Sequence, residues 1–235
     1  MPISDQDEIA ASIKQRTRGR SLDGVTDGAL ERARLGWQDR GYFKVQVTGD
    51  AATLSSRPAG QRIALHVRVD EGTQYRLSGI TFNNNHAIGD IERLRGLFPI
   101  KDGDVFSRER ISMGMEHLRE AYGKLGYINF TSLPDTKLDD ENGLLSLAVG
   151  LDEGKQFRVG TIDVLGLKES TRDELLRDLP IQRGQIFSSK LWEESLLKYA
   201  SMFPGCACRD SEQRHLDEKV GVVMVTLDFR PCPQN

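Results

Sequence analysis

Residues Phe98 to Ser107 read Phe-Pro-Ile-Lys-Asp-Gly-Asp-Val-Phe-Ser, and residues Leu179 to Ser188 read Leu-Pro-Ile-Gln-Arg-Gly-Gln-Ile-Phe-Ser. Pro-Ile, Gly, Phe-Ser and one β-branched residue recur at a fixed offset of 81 (179 − 98). Such a repeat means that the chain is assembled from modules, and a modular chain points to a scaffold before an enzyme. The match extends on both sides. Upstream, Tyr75-Arg76-Leu77 corresponds to Phe157-Arg158-Val159, while Ile80 and Phe82 correspond to Ile162 and Val164. Downstream, Leu145, Leu147, Val149 and Leu151 alternate with smaller or polar residues and run into Asp152-Glu153-Gly154. The same ending occurs earlier, as Ile63, Leu65, Val67 and Val69 before Asp70-Glu71-Gly72. It occurs again as Val223, Val225, Leu227 and Phe229, now followed by Arg230-Pro231-Cys232. Gly41-Tyr42-Phe43 pairs with Gly126-Tyr127-Ile128, and the last copy degrades this signal to Gly205-Cys206-Ala207. Three modules result: residues 1–72, 73–154 and 155–235.

Each module is close to the size at which a single core barely folds alone, so neighbours are expected to support one another. The net charge of −3 carries no nucleic-acid footprint. No apolar run approaches the roughly 18 residues of a membrane helix. The opening residues Met1 to Asp7 lack a secretion-signal pattern. Module one also lacks an opening strand equivalent to those at Tyr75 and Phe157. The missing strand is expected of a piece trimmed from a longer protein.

Each full module reads as strand, helix, helix, strand, strand. In the middle copy, Tyr75–Phe82 alternates like a strand, and Asp90–Leu97 is a short helix stopped by Pro99. Ser107 is an N-cap, because its hydroxyl can accept from free amides of the next turn. The helix behind it carries Ile111, Met115, Leu118, Tyr122 and Leu125 on one stripe and ends at Gly126. A strand at Tyr127–Leu133, a polar loop at Pro134–Asn142 and a strand at Leu144–Leu151 complete it. In the third copy, Thr171 with Glu174 reads as a capping box, and Ser188 opens a helix with Trp192, Leu196, Tyr199 and Phe203 on its stripe. In the first copy, Asp5 with Glu8 opens one helix, and Thr26 opens another bearing Leu30, Ala33 and Trp37. The predicted fold class is therefore α+β: three tandem βααββ two-layer modules, each a small three-stranded sheet covered by two helices, with the opening strand missing from the first. One-sided alternation on each last strand means one buried sheet face. A small open sheet also has edge strands with unpaired backbone groups, which can accept a strand from another chain.

The strand-helix-helix-strand-strand order, the Gly-Tyr junction, the acid-acid-Gly linker and the tandem array resemble polypeptide-transport-associated (POTRA) domains. The resemblance covers essentially the whole chain and is strongest over residues 73–203. It implies the periplasmic arm of an outer-membrane β-barrel protein, with no enzymatic activity and no cofactor. Implied partners are unfolded β-barrel or secreted clients, accessory assembly proteins and an associated outer-membrane barrel, with no nucleic acid. In that family the second strand of a module is an exposed edge with which extended segments pair. The matching segments here are Tyr42–Thr48, Tyr127–Leu133 and Cys206–Asp210. Tyr42, Phe43, Tyr127, Ile128 and Phe130 are accordingly the expected client contacts. Two departures stand out: nothing after Phe229 reads as membrane strands, and the last module has exchanged Gly-Tyr for cysteines.

Cys206 and Cys208 begin one arm of a predicted hairpin whose partner ends at Cys232. A disulfide from Cys206 or Cys208 to Cys232 fits that geometry and an oxidising compartment. Free thiols remain open, as does a metal set of Cys206, Cys208, His215 and Cys232, although Cys-x-Cys is unlike the usual zinc spacing. Asp70-Glu71 and Asp152-Glu153 have the form of acid–base pairs, yet their equivalent places before glycine read as a structural turn. His66, His86 and His117 share no ligand spacing. There is no phosphate-cradling glycine motif. The competing readings are a stand-alone soluble scaffold and a KH-like nucleic-acid module. The latter requires a Gly-x-x-Gly loop between its helices, which Lys101-Asp102-Gly103-Asp104 does not supply.

Overall fold

Ala29, Ala33 and Trp37 recur every fourth residue, and all three are buried. That spacing puts them on one helical face, which sets α1 (Leu22–Gln38) against Val45, with Tyr42, Val47 and Val69 around it. A computed structural model describes residues 22–57, 60–203 and 211–231. After α1 come β1 (Gln46–Arg57), β2 (Gly60–Asp70), β3 (Arg76–Asn83), α2 (Ile91–Arg95), α3 (Arg108–Lys124), β4 (Thr131–Asp139) and β5 (Leu144–Asp152). The third copy follows as β6 (Arg158–Leu165), α4 (Glu169–Asp178), α5 (Ser189–Tyr199), β7 (Glu212–Asp217) and β8 (Val222–Asp228). The second and third copies have the expected βααββ order. Among the described residues the first is α1 with a two-stranded hairpin, and the expected helix at Asp5 lies outside them.

Strand order explains which strands are open. The sheets run β3-β5-β4 and β6-β8-β7, so the last strand of each module is central and the other two lie at the edges. β6 runs parallel to β8, and β7 antiparallel to it. The central strands bury alternate residues, as their sequences require: Leu145, Leu147, Val149 and Leu151 on β5, and Val223, Val225 and Leu227 on β8. Helix α5 sets Trp192 into the third core among Phe157, Leu175, Phe187 and Phe229. Each such large side chain contributes roughly 1.5–3 kcal/mol through burial. β1 and β2 form a longer antiparallel hairpin, interrupted by a register shift between Thr53 and Ser55.

The duplicated segment is the connector between the two helices of a module, and it pairs with the first strand. In the middle copy the amide of Leu77 donates to the Asp104 carbonyl, Gly103 to Leu77 and Phe106 to Tyr75, at 2.9, 2.7 and 3.0 Å. In the third copy Val159 donates to Gln185, Gly184 to Val159 and Phe187 to Phe157, at 2.8, 2.7 and 2.9 Å. Gly103 and Gly184 sit at φ +87° and +84°, left-handed values that favour glycine. The shared serine then caps the next helix: Ser107 Oγ accepts from the Arg110 amide at 3.2 Å, and Ser188 Oγ from Leu191 at 3.4 Å.

Three expectations are corrected. The helix of the first copy begins at Leu22, ahead of Thr26. Helix α4 begins at Glu169 after Lys168, which makes no side-chain cap bond, so Thr171 lies inside the helix and forms no capping box. The strand expected at Tyr127–Leu133 is displaced to Thr131–Asp139 and absorbs much of the supposed polar loop.

The described residues group into two compact units. One is drawn from the described residues up to Thr81, with Arg95–Gly114 and Pro134–Val149; the other from Phe82–Leu94, Met115–Leu133 and the described residues from Gly150 onward. The middle copy contributes to both. The first unit contains the junction of copies one and two, and the second contains the junction of copies two and three.

Candidate functional site

The expected client contacts do not lie on strands. Tyr42 and Phe43 precede β1, and Tyr127, Ile128 and Phe130 precede β4, in a turn that both copies share. Gly41 and Gly126 take φ +89° and +87°. The chain then closes an extra turn: Tyr42 donates back to the Trp37 carbonyl and Tyr127 to Tyr122, each at 3.1 Å. Val45 donates to Tyr42 and Phe130 to Tyr127, also at 3.1 Å. The strand cannot begin until this turn is finished, which delays it by about four residues. Phe130 is buried, and its ring stacks on Tyr122 at 4.2 Å between centroids, with interplanar angle 7°. Tyr42, Phe43, Tyr127 and Ile128 are half-buried; Phe43 meets Phe106 edge-to-face at 5.5 Å, and Ile128 packs against the third core. These residues are junction packing. The third expected edge, Cys206–Asp210, lies outside the described residues, as do Cys206, Cys208 and Cys232; the third copy's second strand is β7. Among the described residues no His, Cys, Asp and Glu cluster could hold a metal ion, and no helix is long and apolar enough to cross a membrane.

The two junctions share their backbone and glutamine bonds. Tyr75 donates to the Gly41 carbonyl, and Phe157 to that of Gly126, each at 2.8 Å. The Gln74 amide group donates to the Arg40 carbonyl at 2.8 Å, and that of Gln156 to Leu125 at 2.9 Å. A Cβ on Gly41 would lie 2.7 Å from Val105 Cγ1 and 2.9 Å from the Tyr75 oxygen; on Gly126, 2.7 Å from Ile186 Cγ2 and 2.9 Å from the Phe157 oxygen. One polar contact is a salt bridge in the first junction and an amide-to-carboxylate hydrogen bond in the second. Lys44 Nζ bonds Asp140 at 2.6 Å, and Tyr75 Oη donates to the same carboxylate at 2.5 Å. Asn129 Nδ2 bonds Glu218 at 3.0 Å in the corresponding place. The bonds from Lys44 and then Tyr75 hold the Asp140 carboxyl below its ordinary range, and Asp140 raises the Lys44 ammonium in turn.

The acidic pairs have a structural use. Glu71 accepts from Trp37 Nε1 at 2.9 Å, and Glu153 accepts from Tyr122 Oη at 2.9 Å and from the Ala87 amide. Burial first, and Glu153 second, push the Tyr122 phenol above its ordinary pKa. Gly72 and Gly154 follow at φ +66° and +63°. The sequence held more of this signal than the acidic pair and glycine: Asp-Glu-Gly-x-Gln, an aromatic residue and Arg recur at 70–76 and 152–158.

The remaining functional feature is the set of open edges. β4 is exposed along most of its length, with Leu133 76% exposed, but it carries Pro134, Asp135, Lys137 and Asp139. Proline has no amide hydrogen to give, and edge charges discourage strand addition. β7 is six residues long and carries Glu212, Arg214, His215 and Asp217. β6 has only β8 beside it, with the connector covering its first residues.

The family described as POTRA, surface antigen variable number repeat, matches residues 75–154. The chain carries tandem POTRA domains. It is 27% identical over 188 residues to a candidate outer membrane protein assembly factor of Treponema pallidum, covering 77% of this chain and 22% of that protein. It is 23% identical over 156 residues to the outer membrane protein assembly factor BamA of Neisseria meningitidis, covering 62% and 19%. The chain thus spans about a fifth of the length of these curated relatives. Among solved structures, three POTRA domains (3–5) of Haemophilus influenzae BamA share the fold with TM-score 0.66 at 19% identity, over 95% of this chain and 90% of that one. Haemophilus ducreyi BamA lacking POTRA domains 1–3 does so with TM-score 0.54 at 18% identity, over 66% and 29%. The βααββ order of the two complete copies is the POTRA architecture, and the Gly-Tyr turn joins one POTRA module to the next.

Proposed function

We propose that this chain is a periplasmic interaction array that receives unfolded outer-membrane or secreted proteins and supports their assembly or transport. Its borders follow the left-handed glycines of the linkers, giving modules at 1–72, 73–154 and 155–235. In the longer protein it stands beside an outer-membrane barrel and accessory assembly proteins, as the names of its relatives suggest. Clients add to the open sheet edges as extra strands, so that backbone bonds give broad affinity and nearby side chains give modest selectivity. The observation that carries this reading is the strand order, first-last-second, which leaves two open edges in each complete module. The two acidic pairs do not compete with it, because Glu71 and Glu153 are engaged by Trp37 and Tyr122. A KH-like phosphate clamp is disfavoured too, since the Gly103 and Gly184 amides are spent on Leu77 and Val159.

Amide chemical shifts recorded while a peptide from an outer-membrane β-strand is titrated into the whole chain test the reading. Shifts on edge-strand residues are expected. Shifts confined to helices, or none, would overturn it.

A further inference from the structure

We propose that the client-accepting edge of the third module is the outer half of its first strand, β6, and that it takes an extended segment carrying alternating apolar residues and one basic residue. This rests on the strand-addition reading above and names an edge opposite to the one the family resemblance indicates.

The backbone sets the site. Val159 points its amide and carbonyl away from β8, where Gln185 and Gly184 bond them at 2.8 and 2.7 Å. A register shift follows between Val159 and Ile162. Leu165 points the other way, since its carbonyl accepts from the Phe229 amide at 2.9 Å. Amide and carbonyl of one residue share a side of the strand, and sides alternate. Ile162 and Val164 therefore direct both backbone groups outward, beyond the end of the connector, where no strand of the described residues pairs with them. The edge holds no proline, and its two outward residues are β-branched.

A groove of about 500 Å³ runs along these residues. On the sheet side it is lined by Asp163, Leu165 and Thr226, and on the helix side by Arg172 and Leu176 of α4. Leu165 is 37% exposed at its rim, which offers apolar contact to a second-neighbour residue of an added strand. Charge supplies the last requirement. Arg172 is already engaged by Asp173 at 3.0 Å and Glu169 at 3.6 Å. Asp163 is exposed and lines the same groove, and among the described residues no ion pair engages it, so an incoming lysine or arginine beside it meets complementary charge.

The test uses the whole chain and a ten-residue peptide of alternating valine and serine with one central lysine. Hydrogen exchange is followed residue by residue. The expected result is slowed exchange at the Ile162 and Val164 amides, with β4 and β7 unchanged. Val164→Pro removes one outward donor and is expected to weaken binding about tenfold, the equivalent of one backbone hydrogen bond; Asp163→Asn, which leaves the backbone intact, is expected to weaken it less and to remove the preference for lysine over glutamate in the peptide. Protection on β4 or β7 alone would overturn this assignment while leaving strand addition standing. Absence of protection on every edge would overturn both. Protection of Ile162 and Val164 that rises with protein concentration in the absence of peptide would give the edge to a second copy of the chain and contradict the proposal.

Discussion

Gly41 and Gly126 carry more of this architecture than their size suggests. Each combines a left-handed backbone with a neighbour that leaves no room for a methyl group. Gly41→Ala and Gly126→Ala are expected to cost about 2 kcal/mol or more, because clash is added to the left-handed penalty. Gly72→Ala has the penalty alone, as nothing lies within 4 Å of its Cβ, and should cost about 1 kcal/mol. Urea denaturation of the three variants checks the order. Tyr122 makes a second prediction. Its folded pKa is raised above the ordinary value of 10.0 by burial and by Glu153. The folded state therefore holds that proton more tightly than the unfolded state, and the contribution is complete below pH 10 and lost as pH rises beyond it. Tyr122→Phe should flatten the alkaline fall in stability and cost about 1–2 kcal/mol at neutral pH. At this scale the sequence was legible where residue type and repeat coincide. Gly41, Gly126 and Ser107 could be named, whereas Gly114 could not: it is selected by the Phe98 ring, 2.1 Å from where its Cβ would sit, and nothing local announces that contact.

Helix caps are more legible in this sequence than strand starts, for a physical reason. An N-cap is a local bond within one turn, so Ser107 and Ser188 were visible as caps. Ser107→Ala and Ser188→Ala should each cost about 1 kcal/mol in urea denaturation, with no loss of client affinity. Thr171 misled because Glu169 and Lys168 already begin the helix one turn earlier. The start of β4 is hidden because Gly-Tyr resembles the opening of a strand, when it is a further turn, and because Pro134 resembles a loop residue. An edge strand tolerates proline on its outer side. The module junctions make a prediction of their own. Asp140 has a depressed pKa, so its bond to Lys44 is present above the ordinary carboxylate value of 3.8 and lost as pH falls through the lower folded value. Acid should therefore loosen the first junction, and Asp140→Asn should mimic that loosening at neutral pH. Protease cleavage within Gly72–Thr73, compared with Gly154–Lys155, reads out the difference.

At the level of the whole chain, the repeat announced the modular plan, and the alternating last strands announced two-layer sheets. Which edges are open was not legible, because strand order is a long-range property that no local pattern encodes. The connector settles half of the matter by covering the start of each first strand, and so the duplicated segment that reveals the modules also leaves Ile162 and Val164 uncovered beyond it. The central claim is that clients are held through their backbone. Two peptides of one outer-membrane strand sequence test it most directly, one unmodified and one N-methylated at alternate amides, each titrated into the whole chain by calorimetry. Strand addition predicts that methylation of the amides facing the sheet abolishes binding, because those donors make the contact. Equal affinity for the two peptides would show recognition through side chains and contradict the account.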